Sequence, residues 1–313
     1  MIQLHSNCLK AEIAPRGAAL TGLWHRDLAH SLVLGAPDPA AYEQALVYFG
    51  AIVGPVANRI SDAAVHIDGK RWRMEANEGT TCLHGGSDGL HARIWDLAEQ
   101  SSSHVLLTCT LTHGESGLPG HRVISARYGL DGSVLSLDIF ATTDRNTVMN
   151  LAHHPYWNLA GTESVGAHRL CIAADTYLPT DDKNLPTGRA APVAGTPYDF
   201  RQPNALPVDV TLDANLCLAE ARRPEPVFAA RLTAPNAPSL EIHTTESGLQ
   251  LYNGSGLRPL PVLLHEGQKL APYAGVALEP QAWPDAPKHP HFPSVVLRKG
   301  QKYIQRTRYH ISR

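Results

Sequence analysis

Runs in which apolar and polar residues alternate one for one recur along this chain. They restrict its fold more than any other feature, because only an extended strand throws successive side chains to opposite faces. Val105, Leu107, Cys109 and Leu111 alternate with Thr108, Thr110 and Thr112. Ile124, Ala126, Tyr128 and Leu130 form a second row, Leu135, Leu137, Ile139 and Ala141 a third. Near the C-terminus Tyr303, Gln305, Thr307, Tyr309 and Ile311 face one way and Ile304, Arg306, Arg308 and His310 the other. Asp131-Gly132 follows the second row, and Asp68-Gly69 separates Val65-His66-Ile67 from Lys70-Arg71-Trp72, which predicts hairpins. Few windows carry a 3.6-residue period. The expected fold is all-β, a large antiparallel β-sandwich of many short strands.

The 313 residues include 25 Gly and 24 Pro with 18% charged residues, a turn-rich composition that excludes a coiled coil, and 43% apolar content excludes intrinsic disorder. No internal repeat is evident. Tyr177 to Pro207 is rich in Pro, Asp and Gly, yet strand-like windows flank it, so it is read as an excursion within a single domain spanning residues 1–313. With 27 basic against 29 acidic residues the net charge is −2, which offers no field for nucleic acid or an anionic membrane. The longest nearly unbroken apolar stretch, Ala45 to Ala57, contains Gly50, Gly54 and Pro55 and falls short of the ~18 residues of a membrane span. His5, Ser6 and Asn7 stand where a signal peptide would have its apolar core, and the expected location is the cytoplasm. Cys8, Cys82, Cys109, Cys171 and Cys217 lack Cys-x-x-Cys spacing and read as reduced core residues.

Four stretches can carry chemistry. In Asn150 to Asn158, an extended backbone puts Asn150, Ala152, His154, Tyr156 and Asn158 on one face and Leu151, His153, Pro155 and Trp157 on the other. Such a polar row needs partners that a hydroxyl-rich ligand would supply, and a histidine suits general acid work. A pair of surface or core-satisfied histidines is the plain alternative. In Gly275 to Asp285, Ala277, Glu279 and Gln281 share a face; a carboxylate closing an apolar strand beside Trp283 would be a strengthened base, or else an exposed strand-end glutamate. Cys82 to Gly89 contains Gly85-x-Ser87-x-Gly89, the nucleophile-elbow spacing of serine hydrolases, but that motif needs a strand and a helix in an alternating sheet. Its other reading is a sharp turn on paired glycines that aims His84 into a cleft. Asn58 and Arg59 together suit vicinal hydroxyls, provided a turn or bulge brings both to one side.

The 17 histidines include His153-His154 and His289-x-His291, neither a closed ligand set, and no metal is expected. No Walker loop or dinucleotide fingerprint occurs, so no cofactor is expected either.

Taken in order, these stretches resemble the aldose 1-epimerase (galactose mutarotase) family. The matches are Asn58-Arg59, Leu83-His84-Gly85-Gly86, His154-x-Tyr156-Trp157-Asn158-Leu159, Asp175-x-Tyr177-Leu178-Pro179, Pro186-Thr187-Gly188, Tyr198-Asp199-Phe200-Arg201, Asp213-Ala214-Asn215, Gln250 to Gly254, and Leu278-Glu279-x-Gln281 with Pro284-Asp285. The resemblance implies a galactose mutarotase-like supersandwich that interconverts the anomers of free aldoses without a cofactor. It implies Glu279 as the base at the anomeric hydroxyl and His154 as the acid at the ring oxygen. Sugar contacts would fall on Asn58, Arg59, His84, Tyr156, Asp213 and Gln250. Pro55 stands where the family usually has Arg, His153-His154-Pro155 replaces Asn-His-Ser, and Ala214 replaces a His. The expected substrate is a hexose or pentose such as galactose, glucose or arabinose, and the expected state a monomer or homodimer. A non-catalytic sugar-binding module or sensor on the same fold is the rival reading.

Overall fold

The computed structural model describes residues 1–313. Its helices are short 3-10 turns, and its strands fall mainly into a nine-stranded and a six-stranded antiparallel sheet, with a three-stranded sheet from residues 2–25. The alternating rows build the centre of the larger sheet. His104–Leu111, Arg122–Asp131, Val134–Thr143 and Tyr303–Ser312 pair so that Val105 meets Tyr128, Tyr128 meets Leu137, and Leu135 meets Tyr309. All of these side chains are buried on one face, as the period-two pattern requires. Asp68-Gly69 closes a hairpin between Ala64–Ile67 and Lys70–Arg73.

The smaller sheet has two unlike faces. Asp213–Cys217, Gly248–Tyr252, Val276–Gln281 and Tyr156–Trp157 are neighbours in it. Leu216, Leu249, Leu251, Val276 and Leu278 point toward the larger sheet and join its residues in one core cluster. Each such side chain contributes about 1.5–3 kcal/mol by leaving water, so the apolar face locks the register. That register then dictates the other face. Asp213 lies opposite Tyr252, Tyr252 opposite Ala277 and Ala277 opposite Tyr156, while Asn215, Gln250 and Glu279 form the next row. A polar floor thus lies on the side of the sheet away from the core.

The Pro-rich excursion supplies edges to both sheets. Thr176–Tyr177 pairs with Ala191–Pro192 at the edge of the smaller sheet, and Asn204–Ala205 pairs with Arg169–Ile172 at the edge of the larger. No helix is long and apolar enough to cross a membrane.

Candidate active site

A cavity of about 210 Å³ opens over the polar floor, lined by Tyr48, Asn58, Arg59, Leu83, His84, His154, Tyr156, Asp213, Gln250, Tyr252 and Glu279. All eight residues expected at the site line it. Larger cavities elsewhere, such as the one walled by Glu78, Thr80, Thr81, Asp182 and Asn184, hold no comparable set of acid and base groups.

The His153-His154 pair divides as adjacent strand residues must. His153 belongs to the short strand Ala152–His153 and turns inward, its Nδ1 2.9 Å from the Tyr309 hydroxyl. His154 turns outward, and its Nε2 lies 3.4 Å from Glu279 Oε1. The continuous polar face expected for 150–158 does not form, because Pro155 separates two short strands. Asn150 donates to the Ala282 carbonyl and accepts from the Ala282 amide, and Asn158 donates to the carbonyls of Thr162 and Ala274. These asparagines fasten chain segments; only His154 and Tyr156 of that face reach the cavity.

Glu279 lies within the strand Val276–Gln281 and is 2% exposed. Trp283 does not cover it as expected: that ring packs on Phe292 in a separate cluster and donates to the Ser247 carbonyl. Burial first and the Asp213 charge second raise the Glu279 carboxyl well above its ordinary value, against the pull of Arg59. Burial likewise lowers His154 to about 4.

Asn58 adopts φ +60°, and this left-handed residue is the turn that lets Asn58 and Arg59 face one cavity. Arg59 donates in fork geometry to Glu78 at 2.6 and 2.9 Å and sits 3.7 Å from Asp213. Burial works against the guanidinium charge, and the Glu78 and Asp213 carboxylates more than offset it. Gln250 donates to Asp213 at 2.5 Å. Burial raises the Asp213 carboxyl, while Arg59 and Gln250 oppose that shift.

His84 stands at φ +53° just before Gly85 at φ +86°, where a Cβ would come within 2.3 Å of the Gly54 carbonyl oxygen. Only glycine fits, and the turn it allows presents His84 to the cavity. Ser87 lies beyond this turn, exposed, donating to Glu75 at 2.7 Å and followed by the one-turn helix Leu90–Ala92. That is not a nucleophile elbow.

One ligating atom from each of His84, His154 and Glu279 lies within 4.8 Å of the others, a spacing that a cation could use. His84 Nδ1, however, accepts the backbone N–H of Asn58 at 3.2 Å, which puts the ring proton on Nε2. A ring N–H turned toward the cavity suits a sugar oxygen and not a cation.

Sequence reasoning missed Tyr48, Tyr252, Leu83 and Glu78. Tyr252 was reachable, since it lies two residues from Gln250 and so on the same strand face. Tyr48 sits in an apolar run and Glu78 in a loop, and no spacing marks either.

Compared with known proteins, residues 1–310 match the family model described as aldose 1-epimerase. The chain is 36% identical to galactose mutarotase of Rattus norvegicus, over 99% of this chain and 93% of that protein. It is 32% identical to aldose 1-epimerase of Escherichia coli K12, over 88% and 84%. Its fold superposes on the GalM/aldose epimerase homologue of C. elegans with a TM-score of 0.92, at 30% identity over 99% and 98% of the two chains. For galactose 1-epimerase of Lactobacillus acidophilus the TM-score is 0.83, at 25% identity over 99% and 93%.

Proposed function

The chain belongs to the aldose 1-epimerase family and is an isomerase of the mutarotase kind, and on that footing we propose that His154 and Glu279 interconvert the α and β anomers of a free hexose or pentose. The observation that carries this reading is the 3.4 Å approach of the two side chains across one ring-sized cavity.

Ring opening moves two protons. The Glu279 carboxylate takes the proton of the anomeric hydroxyl, and the His154 imidazolium delivers its Nε2 proton to the ring oxygen. The C1–O5 bond breaks, leaving an open-chain aldehyde, protonated Glu279 and neutral His154. After rotation about C1–C2 the O5 hydroxyl attacks the opposite face of C1. His154 recovers its proton from O5, Glu279 returns its own to O1, and the pair ends as it began.

The pair therefore carries one proton throughout, and only its seat alternates. Burial favours the neutral form of each partner, the proton resting on Glu279. The positive charge of Arg59 supports the carboxylate form required for attack. Because the two seats belong to one buried pair, neither reaction half leaves an isolated charge in the cavity. Acid and base help of this kind is worth roughly 10² to 10⁴ in rate per group.

Asn58, Arg59, His84, Tyr156, Asp213 and Gln250 are proposed to hold the sugar hydroxyls, with galactose, glucose and arabinose as candidates. A binding module or sensor would need no acid and base in contact, which favours turnover over binding alone. We also propose one domain over residues 1–313, since the core cluster draws on residues from Ile2 to Ile311, residence in the cytoplasm, and a monomer or homodimer. Polarimetry on freshly dissolved α-sugar tests the reading: relaxation should quicken in proportion to protein, and a buffer rate for every common aldose would overturn it.

A further inference from the structure

We propose that Tyr48 is a positioning residue for His154, its ring doing what a hydrogen bond to the remote imidazole nitrogen does in most acid–base sites. The inference rests on the mutarotase reading above. An imidazole that transfers protons is commonly oriented through its second nitrogen. In this chain His154 Nδ1 is buried and has no hydrogen-bond partner, while Nε2 faces Glu279. No hydrogen bond at Nδ1 therefore fixes the ring from its far side, and the 3.4 Å contact of Nε2 with Glu279 is a single point of attachment about which the ring must be held by packing.

Aromatic neighbours supply that hold. Tyr48 stacks on His154 with ring centroids 6.3 Å apart and planes 24° from parallel; Tyr156 supports the ring at 5.0 Å and His84 meets it edgewise at 5.5 Å. Tyr48 also touches His84 at 5.0 Å and His91 at 4.7 Å, so one phenol ring is wedged among three imidazoles. Tyr48 packs as well against the small apolar cluster of Val53, Ala57 and Ala152.

The backbone ties this wedge to its target. The Gly50 N–H donates to the His154 carbonyl at 2.9 Å, and the His154 N–H donates to the Ala51 carbonyl at 3.0 Å. Gly50 takes φ +65° where a Cβ would come within 1.9 Å of the Leu20 carbonyl oxygen, so this segment has little freedom to shift. Tyr48 and His154 are thereby held as one unit. Loss of the ring would leave the imidazole free to swing out of line with the sugar oxygen, a displacement that costs up to about 10²-fold in rate.

The test is steady-state mutarotation by Tyr48→Phe and Tyr48→Leu, with circular dichroism to confirm folding and Tyr48→Met in reserve should the leucine variant not fold. The phenylalanine variant should keep kcat within about threefold, while the leucine or methionine variant should lose roughly 10- to 100-fold in kcat with KM little changed. Near-full kcat in the leucine or methionine variant, an equal loss in the phenylalanine variant, or an effect confined to KM would each overturn the proposal. His154→Asn is the control for the underlying reading. If it retains activity, the acid assignment fails; if it is inactive while Tyr48→Leu is normal, only the positioning role fails.

Discussion

His154 Nε2 stands 3.4 Å from Glu279 Oε1, although 125 positions separate the two residues in the chain. The contact exists because Tyr156 pairs with Ala277 in the smaller sheet, which brings the residue two before one strand partner beside the residue two after the other. Acid and base are thus set by strand register, and it is this register that the proposed chemistry uses.

Glu279→Gln and His154→Asn should each lower kcat by roughly 10² to 10⁴ while leaving the fold intact, because each removes one seat of the shared proton. The double variant should be little slower than either single one, since a lone acid or base cannot complete the exchange. Polarimetry on the three purified variants reads this directly, and a single variant of near-wild-type rate would unseat that residue.

Activity should fall as the pH drops through about 4, where His154 takes up its proton beside an already protonated Glu279 and no base remains. On the alkaline side it should fall when the pair loses its shared proton, above the ordinary carboxylate value of 4.5. These limbs belong to the pair and not to either residue. Rates measured from about pH 3 to pH 9, corrected for buffer catalysis, should be level between the limbs. An acid limb near 6.5, the ordinary histidine value, would contradict the account.

Arg59→Lys should raise KM about tenfold or more with a smaller effect on kcat. Lysine keeps the charge but loses the fork that engages Glu78, and hydrogen bonds to charged groups are worth about 1.5–3 kcal/mol. Glu78→Gln should shift KM in the same direction by less, because it loosens Arg59 without removing it. Unchanged KM in both variants would show that the guanidinium does not hold the sugar.

Stability should decline on acidification from about pH 6.5. Burial lowers His91, His154 and His168 to about 4 and His153 to about 3. Between those values and 6.5 the unfolded chain binds more protons than the folded one, so stability is fully present above 6.5 and is lost as the pH falls through the folded values. The urea midpoint should drop between about pH 7 and pH 5, and His168→Gln, whose amide oxygen can still accept the Leu159 N–H that His168 Nε2 accepts at 3.0 Å, should flatten that dependence. Equal midpoints at both pH values would sink this prediction.

Much of the fold was legible from the chain alone. One-for-one alternation in residues 105–111, 124–130, 135–141 and 303–311 specified strands and their buried faces, because side-chain direction in a strand is a local property. The same rule placed Glu279 and Gln281 on one face, and the ordered motifs carried the family. What stayed illegible depends on contacts between distant segments. Alternation states that His153 and His154 point oppositely, yet only the packing of His153 on Tyr309 decides which of them is in the core. The burial that separates Glu279 and His154 from their ordinary titration, and the Asp213 charge that adds to it at Glu279, come from neighbours brought in by sheet pairing, Tyr156 against His154 among them. Tyr48 and Glu78 acquire their places only when the chain closes over the polar floor, since position along a sequence sets the direction of a side chain and not what it will meet.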